Sequence, residues 1–235
     1  MNIISGQNVD LISPFPANEV RRVFGWNHCY RTITENDDTP NNIEDFTTHV
    51  QSLLNVCPSW GIIDKNRITN SSHEAPLVGI GLFEPAGPRT GYFHVATARK
   101  AFRTGLIDEA GELVIKTLFE SAPTLLRLGA YMDEKNAPAK ALCRRLGFKF
   151  EGVCEDAIIQ NGQPKAVAYF GLTRRNWLCR SQELEKVSHL GDLDKVSLLV
   201  VPSEQTSPKQ APFQPEVTQI LEEQVPTMVE AVATH

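Results

Sequence analysis

The apolar positions of this chain change period several times, and each change marks an element. Leu126, Leu128 and Ala130 alternate with Arg127, Gly129 and Tyr131, the period of two expected of a strand. Residues 133–136 (DEKN) break the alternation, and Asn136 is placed to cap a helix that carries Pro138 in its first turn. Ala139, Leu142, Cys143 and Leu146 then recur at helical spacing, with Lys140, Arg144 and Arg145 on the other side. Gly147 stands where a helix end wants a left-handed residue. Phe148 and Phe150 open a further alternating strand, and residues 156–177 continue as strand, Asn-Gly turn, strand and a closing aromatic.

Upstream, residues 8–12 read as a first strand and residues 16–24 as a short helix with Gly25 after it. The aromatic-rich residues 26–34 fit a loop or short strand, and residues 36–42 (NDDTPNN) a loop. Ile43, Phe46, Val50, Leu53 and Leu54 fall at helical spacing. Residues 58–64 and 77–83 are expected to be neighbouring strands, separated by the polar residues 65–74. Gly87-Pro88 turns the chain into another strand at residues 90–96. Leu106, Ala110, Leu113, Val114 and Leu118 then mark an amphipathic helix.

Composition narrows the picture. The 235 residues, 41% of them hydrophobic, suffice for one ordinary domain, expected at residues 1–178, with an extension over residues 179–235. A helix is expected to extend over residues 181–187. Residues 202–215 form a Pro-, Gln- and Ser-rich linker between two short apolar pieces, at 196–201 and 217–232. A net charge of −5 argues against a surface that coats nucleic acid. Such contact would have to be local, through Arg99, Lys100 and Arg103 or through Lys140, Arg144 and Arg145. No apolar run approaches a membrane span, and the first residues lack the pattern of a secretory signal. Five cysteines without a CxxC pair fit a reducing compartment, the cytoplasm, better than a disulfide framework. The six histidines are dispersed, so no metal site is expected.

The order of elements from about residue 77 onward resembles the GNAT acetyltransferase superfamily, and within it the ribosomal-protein and related N-terminal acetyltransferases of the Rim type. The resemblance is carried by Asn136 at the end of a strand, by Leu146-Gly147-Phe148 closing the next helix, and by Glu151-Gly152. It implies an α/β fold with a central, mostly antiparallel sheet of about six or seven strands and helices on both faces. In that family the fourth strand splays from the fifth, and the pantetheine arm of acetyl-CoA lies in the gap. The pyrophosphate rests on backbone amides at the start of the next helix, where the dipole favours an anion. By this resemblance Phe93, Val95, Arg103, Thr104, Gly105 and Asn136 would hold the cofactor, acetyl-CoA.

The family's phosphate loop has Gln or Arg, two residues, Gly, one residue, then Gly or Ala. Here Phe102, Gly105 and Ile107 fall at those positions, so one of three survives, although Arg99, Lys100 and Arg103 keep the loop basic. Asp108 and Glu109 follow directly and are expected to repel a pyrophosphate. The helix position where many GNAT enzymes carry a tyrosine acid holds Leu142-Cys143, and Cys143 reads as a core residue. Glu84, Tyr92 and His94 are the candidate catalytic residues, the last two on one side of a strand by its period of two. Two functions follow. The eroded loop and the C-terminal arm resemble GNAT-like virion proteins of short-tailed bacteriophages. That implies a non-catalytic component of an assembly, in a virion, docked to other proteins through the arm and compatible with an oligomer. The alternative is an active N-acetyltransferase acting on an amine of a protein or small molecule.

Overall fold

A computed structural model describes residues 2–28, 37, 40–67 and 76–190. Its strands are β1 (Asn2–Ser5), β2 (Val9–Ser13), β3 (Ser59–Asp64), β4 (Leu77–Pro85), β5 (Thr90–Thr97), β6 (Arg127–Asp133), β7 (Lys149–Gln160) and β8 (Gln163–Thr173). Its α-helices are α1 (Val20–His28), α2 (Ile43–Val56), α3 (Leu106–Ser121), α4 (Ala137–Arg145) and α5 (Arg174–Leu190). The strands form one sheet in the order β1-β2-β3-β4-β5-β6-β8-β7. Every neighbouring pair is antiparallel except β5 and β6.

Each face of the sheet carries its own core. On one side α3 buries Ala110, Val114, Leu118 and Phe119 against Leu128 and Phe170 of β6 and β8, with Cys143 and Leu146 of α4 in the same cluster. On the other side Val20 and Val23 of α1 and Phe46 and Val50 of α2 pack on Leu77 and Ile80 of β4. Helices on both faces of a mostly antiparallel sheet are the arrangement the sequence implied. The sheet has eight strands instead of six or seven. The additional one, β1, is a four-residue edge strand that is mostly exposed, too short for its alternation to register in the sequence.

One further expectation changes. Gly25 does not end the first helix. After a short 3-10 turn at Ala17–Glu19, α1 continues through Gly25 and Trp26 to His28. Gly25 is exposed with open space around its Cα, while Val20 and Val23 are buried, so packing outweighs the roughly 1 kcal/mol that glycine costs a helix interior. The polar stretch after β3 begins with a 3-10 turn at Lys65–Arg67. Residues 29–36, 68–75 and 191–235, including the expected linker and apolar arm, lie outside the described residues.

The expected domain end at residue 178 falls inside α5. Beyond it, Arg180 donates from Nη2 to Glu112 Oε1 of α3 at 2.6 Å and to the Arg145 carbonyl at the end of α4 at 2.9 Å. Arg174, at the start of α5, donates to the carbonyls of Leu125 and Ala122 and lies 5.1 Å over the ring of Phe119. The start of α5 and its second turn are thus both anchored on the α3 side of the sheet.

The β1–β2 turn is held by α3. Asn8 donates to the Glu109 carboxylate from its backbone N at 2.9 Å and from Nδ2 at 3.0 Å. Burial pushes the Glu109 carboxyl up, but the hydrogen bonds from Asn8 and from the backbones of Val9 and Gln7 outweigh it and leave the group below its ordinary value. A carboxyl with a lowered folded pKa stabilises fully above the ordinary carboxylate range and loses that contribution as pH falls through the lowered value. Glu109→Gln is therefore expected to lower stability at neutral pH by about 1–2 kcal/mol. In urea titrations the difference from the wild type should shrink toward zero in acid. An equal difference at neutral and acid pH would show that the charge is not what ties the turn.

Candidate functional site

The parallel pair β5–β6 is short. Thr90, Gly91 and Tyr92 face Arg127, Leu128 and Gly129, and the register ends there. On its other edge β5 stays paired with β4 as far as Thr97. The segment from Phe93 to Thr97 therefore turns its β6-side edge toward a gap. Tyr92 marks the fork: its ring lies where a Cβ on Gly129 would come within 2.8 Å of it. A cavity of about 540 Å³ occupies the opening, with Phe93 and Val95 on one side and Ala130 and Met132 on the other.

Asn136 borders the same cavity from the start of α4. The residue is buried, and its Oδ1 accepts the Ala139 N–H at 3.2 Å, so it caps the helix as its position implied. Gly147, at φ 85°, closes that helix, and the Phe148 N–H returns to the Cys143 carbonyl at 2.9 Å. Cys143 also lines the cavity. Burial pushes its thiol up to about 11, against a smaller opposing effect from Arg144, so it stays protonated at neutral pH.

The loop before α3 runs through a 3-10 turn at Arg99–Ala101 and enters the helix at Gly105, whose φ of 80° is the left-handed conformation glycine adopts freely. Thr104 Oγ1 donates to the Ala101 carbonyl at 2.8 Å and accepts the Leu106 N–H at 3.3 Å. Arg103 also has a left-handed φ, of 60°. Phe102 is 45% exposed, and Ile107 is buried in the core under the helix. Neither side chain lines the large cavity, nor do Arg103, Thr104 and Gly105.

The two acids after Gly105 are turned to other partners. Asp108 forms a two-pronged ion pair with Arg145 at the end of α4, and Glu109 holds the β1–β2 turn. Arg145 balances the first charge and turn amides satisfy the second. The first-turn amides of α3 have no intrahelical acceptors, Leu106 N donates to Thr104 Oγ1, and Arg99, Lys100 and Arg103 in the preceding loop are exposed.

On the α1–α2 face the three candidate catalytic residues come together. Glu84 pairs with Tyr92 across β4 and β5, and Glu84 Oε2 lies 2.8 Å from His94 Nε2. Tyr92 and His94 each meet the ring of Tyr131 edge to face at 5.3 Å, and Tyr169 lies 6.0 Å from it. Tyr131 and Tyr169 were not among the candidates. Their signal, two tyrosines outward-facing on alternating strands, is the same as that of any exposed strand position. Burial pushes the Tyr131 hydroxyl up, and Glu84, Tyr169 and Tyr92 add to it. Among the described residues no group of His, Cys, Asp and Glu is arranged to hold a metal ion, and no helix is long and apolar enough to cross a membrane.

A mostly antiparallel sheet that opens between its one parallel strand pair, with a helix entering through a basic loop beside the opening, is the GNAT acetyltransferase fold. No family profile and no curated protein matches the sequence. Solved structures do match. The ribosomal-protein-S5-alanine acetyltransferase of Vibrio fischeri superposes with a TM-score of 0.61 at 14% identity, over 75% of this chain and 99% of that one. RimL, the ribosomal L7/L12 α-N-protein acetyltransferase solved with coenzyme A, gives 0.62 at 15% identity, over 73% and 98%. The microcin C7 self-immunity acetyltransferase MccE, in complex with acetyl-CoA and AMP, gives 0.57 at 17% identity, over 72% and 93%.

If the Tyr92 ring sets the fork, filling its place should disturb it. Gly129→Ala is expected to displace the ring and destabilise the protein by about 1–3 kcal/mol. A lowered thermal midpoint with an altered near-ultraviolet tyrosine signal checks this. Unchanged values for both would show that the ring is free to move.

Proposed function

We propose that the chain binds acetyl-CoA in the gap between β5 and β6 and acetylates a primary amine by direct attack. The observation that carries this reading is the open gap with the hydrogen-bonded Glu84–His94 pair on its rim. Phe93 and Val95 would flank the pantetheine arm, Asn136 would border it, and Gly105 with Arg103 and Thr104 would lie toward the phosphates. Bound there, acetyl-CoA would supply an acyl thioester, its sulfur leaving as a thiolate that takes up one proton for the one the amine gives up.

The residues of the chain handle the proton. With Glu84 accepting from His94 Nε2–H, the lone pair lies on Nδ1, where it takes the proton of the attacking amine. Glu84 holds that tautomer and balances the charge that develops on the ring. A buried thiol that stays protonated is a poor nucleophile, so Cys143 supports direct transfer over an acyl-enzyme. The work would take place in a reducing compartment, as the unpaired cysteines imply.

A second reading keeps the fold without the chemistry: a structural component of an assembly such as a phage virion. It is favoured by Phe102 and Ile107, which stand in the loop where the family's pattern has Gln or Arg and Gly or Ala. Its partners would be other proteins of the assembly.

Calorimetry with acetyl-CoA separates the two. The transfer reading expects saturable binding that an Asn136→Ala, Gly105→Glu double variant abolishes. It also expects His94→Ala to lower turnover of an amine acceptor by about 10²- to 10⁴-fold while leaving that binding intact. No binding to the folded protein at millimolar acetyl-CoA would retire the enzyme and leave the assembly component.

A further inference from the structure

The cavity beside the gap has a one-sided set of charges. Its lining includes two carboxylates, Glu84 and Asp133, and two imidazoles, His49 and His94, but no lysine or arginine among the described residues. Asp133 stands two residues beyond Tyr131 on β6, and so on the same face of the sheet. Arg127, the cation on that face of β6, is engaged by both carboxylate oxygens of Glu151. Tyr131 is 42% exposed and meets the Tyr92 and His94 rings at steep angles, with centroids 5.3 Å away. Its own hydroxyl is kept neutral by burial and by Glu84. The facing wall is apolar, made by Val23 of α1 and by Phe46, Val50 and Leu53 of α2.

An aromatic face beside carboxylates attracts a cation, and a low-dielectric wall strengthens the attraction. A ligand carboxylate or phosphate would lose its hydration there and meet like charge, with no lysine or arginine among the described lining residues to receive it. An alkyl stem suits the α1–α2 wall. We propose that the acceptor is a primary amine on an apolar stem whose far end is neutral or cationic, and that Tyr131, Glu84 and Asp133 exclude acceptors bearing a carboxylate or phosphate. The inference rests on the acyl-transfer reading for the fate of the amine, but the recognition is a property of the cavity alone.

Butylamine, putrescine and γ-aminobutyrate share one stem length and differ at the far end. Their binding to the full chain is measured by calorimetry at neutral pH, with and without coenzyme A. Putrescine and butylamine are expected to bind at least about tenfold more tightly than γ-aminobutyrate. Glu84→Gln and Asp133→Asn should each narrow that spread, and Tyr131→Leu should weaken both amines. Circular dichroism confirms that each variant is folded. The inference is overturned if γ-aminobutyrate binds as tightly as putrescine, or if no amine binds in either state. A spread that survives when coenzyme A itself does not bind keeps the recognition and removes acyl transfer. Coenzyme A binding without a spread does the reverse.

Discussion

The parallel contact between β5 and β6 is three residue pairs long, and the rest of the site depends on where it stops. Backbone N–H and C=O groups need partners when they leave water, and a strand edge that parts from its neighbour can find them only in solvent, a side chain or a ligand. The fold surrounds this opening with complementary pieces. Asn136 begins α4 on its border, and α3 starts at Gly105 after a basic loop. The Glu84–His94 pair lies on the opposite face of the sheet from these helices. An opening so placed is reached from both faces.

Charge in the helix start is used to hold the structure together. Asp108 and Glu109 sit where the α3 dipole favours anions, yet neither carboxylate is left free: one pairs with Arg145 and the other collects the amides of the β1–β2 turn. These bonds draw α4 and the edge strands toward the first turn of α3. Arg145 balances one of these two negative charges and the β1–β2 turn holds the other, still ionised, away from the loop, which the order of residues alone could not show.

Local pattern made most elements legible and long-range contact made the rest invisible. The helix from Leu106 to Leu118, the cap at Asn136, the left-handed Gly147 and the Asn161-Gly162 turn each follow from residues next to one another. The course of α1 past Gly25 is decided by what Val20 and Val23 pack against, and β1 by the presence of β2 beside it. At the site, Glu84, Tyr92 and His94 were candidates from strand position and chemical type. Tyr131 enters because β6 lies beside β5, and Tyr169 because β8 lies beside β6, adjacencies that only long-range pairing establishes. The direction of Asp108 was likewise set by Arg145, 37 residues away.

Arg180 lies two residues beyond the change of composition at residue 178, inside α5. Its guanidinium takes a terminal carbonyl of α4 and a carboxylate of α3, and its side chain fills the space beside Gly147 that a Cβ would otherwise enter. A chain cut at residue 178 would thus lose a clamp between two helices, and the helix whose first residues border the gap beside β5 would fray from its other end. Trimming the molecule at its change of composition is a way to damage the site from behind.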